Sequence, residues 1–118
     1  MSEGVWTVRL SAAAEADYVQ ILRWTASNFG TVRAQSYAET LSTALKALNA
    51  GPAIVGVKRR PEIGNNIHTL HVARNRRKGR HIVMFRVAGG QGADLIDVLR
   101  LLHDSMDLQR HLPQSEHG

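Results

Sequence analysis

The feature that most constrains the fold is a helical repeat of apolar residues in the middle of the chain. Side chains spaced at i, i+3, i+4 and i+7 form one apolar face, made of Ala34, Tyr37, Ala38, Leu41, Ala44, Leu45 and Leu48. Gly51 followed by Pro52 ends the helical pattern. Because an amphipathic helix must bury its apolar face against another element, the rest of the chain has to supply a partner layer.

The flanking sequence predicts that layer. Ser11 is a predicted N-cap for a further helix, and alternating apolar residues predict strands on both sides of the helical region. The predicted elements outside the central helix are strand Val5–Leu10, helix Ala12–Asn28, strands Ile67–Val72, Arg80–Val87 and Leu95–Leu102, hairpin loop Ala88–Gly92, and one or two helical turns within Asp104–Leu112.

The order β-α-α-β-β-β predicts an α+β fold. We expect a helical hairpin packed on one face of a small antiparallel sheet, with a short C-terminal helix and the other face at least partly open. Ala53–Asn66 is read as a connector whose basic residues face water. The 118 residues fit one domain, 1–118, in which 113–118 is a frayed tail.

The composition excludes several classes of protein. The chain has no cysteine, so disulfides, thiolate nucleophiles and Cys-type zinc sites are ruled out. It contains no P-loop, no G-x-G-x-x-G and no G-x-S-x-G, and we expect neither a cofactor nor a small-molecule substrate. The N-terminus lacks a signal-peptide pattern and no apolar run is long enough to span a membrane. These features predict a cytoplasmic protein without a membrane partner.

The charge is basic and unevenly distributed. The net charge is +5, and eight of the fifteen Lys and Arg residues lie between Lys58 and Arg80, where Glu62 is the one acid. Such a balance favours an acidic partner, whether nucleic acid or protein. The densest part is Arg74–Arg80, predicted to be a turn between two strands. It is either a recognition surface for phosphate or carboxylate groups or a solvated turn, and the pattern alone leaves both readings open.

Histidines are the main candidates for chemistry. His68 and His71 are three residues apart on a predicted strand, so they face opposite sides and are poorly placed to share a metal ion. His103 could build a site with Asp104 and Asp107 after the last strand, although a structural hydrogen bond between Asp and His is the simpler interpretation. We therefore predict no metal site.

Several runs of residues together resemble the RelE/ParE superfamily of toxins from bacterial toxin–antitoxin modules. The resemblance covers Val5–Pro113 and depends on the order and spacing of the runs rather than on any single motif. The runs are Ser11–Asp17 after the first strand, Asn28–Thr31 between the helices, His71–Arg74 before the basic turn, Gly79–Val87 in a central strand, and Val98–Asp107 at the close.

The superfamily contains two kinds of activity. RelE-like members cut mRNA on the ribosome, and ParE-like members inhibit DNA gyrase. The RelE-like branch places arginines on its third strand, basic residues after its last strand, and often a C-terminal tyrosine. Arg80 and Arg86 match the strand arginines, but Asp104 is acidic where basic residues are expected, and Tyr18 and Tyr37 both lie in predicted helices. The resemblance therefore favours the ParE-like branch.

The resemblance implies the function, partners and site residues. We expect a toxin of a type II toxin–antitoxin module that inhibits DNA gyrase by protein binding, is neutralised by a ParD-like antitoxin, and meets operator DNA only within the antitoxin complex. Antitoxin contacts are expected at Arg80, Arg86 and Arg100, and target contacts at Arg74, Arg76, Arg77, Lys78, Met106 and Leu108.

Two alternatives remain. The first is a RelE-like, ribosome-dependent mRNA endonuclease, in which Arg80 and Arg86 stabilise the phosphate and His103 transfers the proton. The second is a plain nucleic-acid-binding or scaffold domain, inferred from charge alone.

Overall fold

A computed structural model describes residues 5–90, 93–106 and 108. The helices and strands are β1 (Thr7–Leu10), α1 (Ala12–Phe29), α2 (Thr31–Ala47), a 3-10 turn (Leu48–Ala50), β2 (Lys58–Arg59), β3 (Ile67–His71), β4 (His81–Gly90) and β5 (Ala93–His103). The predicted order of the elements is confirmed. The predicted C-terminal helix falls largely outside the described residues, as do the tail 113–118 and residues 91–92 of the predicted hairpin loop.

The sheet has five strands in the order β1-β5-β4-β3-β2. The last three strands form the predicted antiparallel meander. The sheet as a whole is mixed, because β1 lies beside β5 and runs parallel to it, with Thr7 opposite Leu95 and Leu10 opposite Val98. Apolar alternation along β1 does not specify its direction, which depends on how the helical hairpin returns the chain to the sheet.

The second edge of the sheet is a strand that the sequence pattern did not predict. Lys58 and Arg59 pair antiparallel with Thr69 and His68 at the edge of β3. Two residues are too few to produce a recognisable alternation, so the connector interpretation missed the pairing. The exposed side chains of both basic residues agree with that interpretation, and a short, charged edge strand hinders pairing with another chain.

The helices cover one face of the sheet. Ser11 caps α1 as predicted: its hydroxyl oxygen accepts from the Ala14 amide at 3.0 Å and its proton is donated to the Leu99 carbonyl at 2.9 Å. This places the start of α1 against β5. The buried core between helices and sheet contains Ala14, Leu41, Ala44, Leu48, Leu70, Val72, Val83, Phe85, Ile96, Val98 and Leu101.

The opposite face is less open than the sequence suggested. Ile67, Met84, Leu99 and Leu102 form a second buried cluster, covered by Ile63 and Leu108. A bulge in β5 makes this possible, since Phe85 pairs with Val98 and Met84 with Arg100, which leaves Leu99 as an extra residue. Because both faces of β5 are covered, Leu95–Leu102 is rich in apolar residues.

Candidate functional site

Polar side chains from three strands and one helix meet at one end of the sheet. β3 and β5 end there and β4 begins there, with His81 directly opposite His103. We call the group the histidine cluster, and its members are Tyr37, His71, Arg80, His81, His103 and Asp104. Its residues come from positions 37 to 104, so no local sequence motif defines it.

Asp104 is the centre of the cluster. Its carboxylate accepts hydrogen bonds from Arg80 Nε at 3.1 and 3.2 Å and from Arg80 Nη2 at 3.0 Å. It also accepts from His71 Nε2 at 2.9 Å. The hydrogen bonds from Arg80 and then from His71 hold the pKa of the Asp104 carboxyl well below its usual range. Asp104 therefore stays ionised and neutralises the nearest guanidinium.

Tyr37 reaches the cluster from α2. Its hydroxyl lies 2.6 Å from His81 Nδ1 and accepts from the Arg80 amide at 3.1 Å. The hydroxyl proton is then available to His81 Nδ1, which places the proton of the neutral imidazole on Nε2. Burial, helped by the neighbouring His103, lowers the pKa of His81 to about 4, and burial raises the pKa of the Tyr37 hydroxyl.

The lowered pKa predicts how stability depends on pH. An unfolded chain protonates His81 near pH 6.5, whereas the folded protein keeps it neutral down to about pH 4. Between these values the unfolded state binds more protons, so stability falls as the pH falls. We expect His81→Gln to lose stability less steeply than the unmodified protein across this window. Urea unfolding at several pH values measures both slopes, and equal slopes would contradict the prediction.

His103 is oriented by the turn that follows β5. Its Nδ1 lies 2.8 Å from the Ser105 hydroxyl and accepts from the Ser105 amide at 3.2 Å. A ring nitrogen that accepts from an amide carries no proton, so the proton of the neutral ring is on Nε2. Nε2 of His103 can therefore donate a hydrogen bond.

The structure does not bring the three candidate nuclease residues together. Arg80 lies within the cluster beside His103, but Arg86 is six residues further along the chain, on β4. At about 3.3 Å per strand residue the two arginines are roughly 20 Å apart, too far to hold one phosphate. Arg86 instead lies opposite Asp97.

The three candidate antitoxin contacts lie in different surroundings. The Arg80 side chain is 69% exposed although it is paired with Asp104. Arg86 is half-buried in the middle of the sheet. Arg100 binds the Asp17 carboxylate of α1 through Nε at 2.8 Å and Nη2 at 2.9 Å, and that hydrogen bond raises its pKa. Of the three, Arg80 is the most accessible to a partner.

The candidate target contacts also divide by exposure. In the basic turn, Arg76 and Lys78 are exposed, whereas Arg74 and Arg77 are half-buried. Beyond β5, Met106 is 44% exposed. Leu108 packs against the second apolar cluster, so a change at Leu108 affects the core as well as any contact.

The hydrogen-bonding roles of Tyr37 in the histidine cluster and of Asp17 at Arg100 were not predicted from the sequence. Tyr37 was recognised as part of the apolar face of α2, which correctly turns it toward the sheet, but its hydroxyl's partners are 43 and 44 residues away. Asp17 belongs to the run Ser11–Asp17 that resembles the family, and it binds Arg100, which is 83 residues away. Within the described residues, no group of three His, Asp or Glu side chains is arranged to share a metal ion. None of the described helices combines the length and apolarity that crossing a membrane requires.

The fold is that of toxins found in toxin–antitoxin complexes. The chromosomal ParDE system from P. aeruginosa contains a similar chain, with a TM-score of 0.65, 21% identity, and coverage of 84% of this chain and 96% of that one. The RelBE2 complex from Mycobacterium tuberculosis contains another, with a TM-score of 0.54, 19% identity, and coverage of 84% and 98%. No curated protein matches the chain.

The sequence assigns the chain within this class. The family model of the ParE toxin of the type II toxin–antitoxin system parDE matches residues 8–108. The chain belongs to this family and is a type II toxin of the ParE/RelE superfamily. The resemblance found in the sequence is confirmed.

Proposed function

We propose that the protein inhibits DNA gyrase by binding it and is neutralised by a cognate ParD-like antitoxin. The observation that best supports binding over RNA cleavage is the carboxylate of Asp104. It pairs with Arg80 and accepts from His71, just after the last strand, where the resemblance places basic residues in the RelE-like branch. A fixed negative charge there would oppose the charge that develops on a phosphate during cleavage.

The antitoxin would bind through the exposed cations near the histidine cluster. Arg80 is the accessible arginine there, and an acidic antitoxin residue could share or replace its contact with Asp104. Charge pairs at the edge of an interface mainly affect the rate of association and its salt dependence. Antitoxins of this kind are expected to fold as they bind, which lets a thin segment cover a large surface.

Gyrase-dependent supercoiling tests the proposal. We expect the purified chain to block supercoiling of relaxed plasmid by gyrase, and prior mixing with the antitoxin to restore it. His103→Ala should inhibit as strongly as the unmodified protein, because binding needs no proton transfer. Failure of the unmodified protein to inhibit gyrase at any concentration would contradict the proposal.

One observation favours mRNA cleavage as a second candidate function. Arg80 and His103 lie side by side at an exposed end of the sheet, with Asp104 between them. If the protein cuts mRNA on programmed ribosomes, His103→Ala should lower the rate by about 10²-fold or more, the usual contribution of a general acid. Cleavage that is independent of His103 would exclude this centre.

A further inference from the structure

The tip of the loop between β3 and β4 is a tight turn in an unusual backbone conformation. The Arg77 amide donates to the Arg74 carbonyl at 2.9 Å. Between them, Asn75 and Arg76 both have positive φ, 53° and 70°. A four-residue turn closed by such a hydrogen bond, with positive φ at both central residues, is a type I′ turn. This turn type favours Asn at the first central position and Gly at the second. Asn75 fits this preference, and Arg76 does not.

An arginine at this position is strained. In the left-handed region the Cβ of a residue other than glycine crowds its own backbone, and long side chains are rare there. Such outliers persist where the surrounding structure holds them, and they are concentrated at functional sites. The turn therefore retains an arginine where glycine would be more stable, which points to a use for its side chain.

The neighbouring arginines hold the turn in place. Arg74 Nη2 donates to the Val55 carbonyl at 3.2 Å. Arg77 Nη1 donates to Thr40 Oγ1 at 3.1 Å, and its Nη2 lies 3.9 Å from Glu39. Arg76 and Lys78 are exposed, and neither makes a hydrogen bond or ion pair with any residue in 5–90, 93–106 or 108. Two arginines thus fix the turn and two cations project from it.

The composition of the turn indicates what these cations contact. Residues 73–80 contain no aromatic residue and no aliphatic residue larger than alanine. The centres of protein interfaces are enriched in aromatic and large apolar side chains, whereas phosphate contacts need only cations and amides. The absence of aromatic residues also disfavours stacking on single-stranded bases. A phosphate backbone of duplex DNA fits these features better than an acidic protein does.

We propose that Arg76, together with Lys78, contacts the phosphate backbone of duplex DNA. The proposal deepens the proposed function, since gyrase holds duplex DNA and an inhibitor bound to gyrase can contact both. Arg74 and Arg77 act as positioning residues that hold the turn against the connector and α2.

Three variants test whether the cation at position 76 contacts DNA. Arg76→Gly removes the charge and the strain, Arg76→Lys keeps both, and Arg23→Ala removes an exposed charge from α1, a surface with no proposed role. Binding of each full chain to a short labelled DNA duplex is measured by fluorescence anisotropy over a range of salt concentrations. Arg76→Gly should bind about 3- to 10-fold more weakly at low salt, with the slope of log affinity against log salt reduced by about 1. Arg76→Lys and Arg23→Ala should stay within about twofold of the unmodified protein.

Thermal unfolding supplies a second readout. Arg76→Gly should raise the unfolding temperature by about 2 to 4 °C, because glycine relieves the strain. A variant that binds DNA more weakly while being more stable cannot be explained by partial unfolding. A lowered unfolding temperature would overturn the strain argument.

Other results would overturn the assignment to DNA. Unchanged binding by Arg76→Gly, or an equal loss in Arg23→Ala, would show that the turn is not a specific phosphate contact. If Arg76→Gly binds DNA normally but no longer inhibits gyrase, the turn contacts protein instead. If the unmodified chain does not inhibit gyrase at all, the proposed function fails, and the DNA measurements still decide the role of Arg76.

Discussion

Replacing Asp17 by alanine is expected to lower the free energy of unfolding by about 2 to 4 kcal/mol. This is slightly less than the loss on breaking a fully buried ion pair. Asp17 accepts two hydrogen bonds from Arg100 and one from the Leu101 amide at 2.9 Å. Its side chain is 12% exposed and that of Arg100 is 25% exposed. The alanine variant leaves a guanidinium and an amide without their acceptor at the junction of α1 and β5. Urea unfolding followed by circular dichroism measures the change.

Two further variants serve as controls for Asp17→Ala. Asp17→Asn keeps the shape and one acceptor oxygen, so it should be less destabilising than Asp17→Ala. Arg9→Ala removes the Arg9–Asp97 pair, in which the arginine side chain is 61% exposed, and should change stability by about 1 kcal/mol or less. If Asp17→Ala costs no more than Arg9→Ala, the contact with Arg100 does not stabilise the junction.

Gly79→Ala is expected to destabilise the protein by about 1 to 3 kcal/mol, the usual range for overpacking. A Cβ at position 79 would lie 2.6 Å from Val72 Cγ2 and 2.8 Å from the Tyr37 hydroxyl oxygen. The backbone would have to move away from α2, and this would stretch the bond between Tyr37 and His81. Unfolding by urea measures the loss.

A double-mutant cycle tests the steric origin of this effect. Tyr37→Phe removes the hydroxyl that the new Cβ would meet, while the contact with Val72 remains. Gly79→Ala should therefore be less destabilising in the Tyr37→Phe background than alone, since residues in contact do not behave additively. Strict additivity would indicate that the clash with Tyr37 is not the cause.

The sequence predicted the elements of the fold because their signals are local. Ser11 was recognised as an N-cap, and the apolar face of the predicted central helix correctly identified Leu41, Ala44 and Leu48 as buried. The direction of β1 and the pairing of Lys58–Arg59 could not be predicted, because both depend on contacts between distant parts of the chain.

The site was less predictable than the fold. Charge counting located the basic segment, but could not separate the anchoring Arg74 and Arg77 from the projecting Arg76. The pairing of Arg80 with Asp104 spans 24 residues and forms only when β4 and β5 are in register. The same register brings His81 beside His103, whereas spacing in the sequence had suggested a separate site at His103.

Inhibition of gyrase by binding is tested most directly by titrating gyrase and programmed ribosomes with one preparation of the full chain. We expect supercoiling to be lost at toxin concentrations comparable with that of gyrase, while mRNA on the ribosomes stays intact. Site-specific cutting of mRNA that requires the ribosome, with supercoiling unaffected, would contradict this expectation.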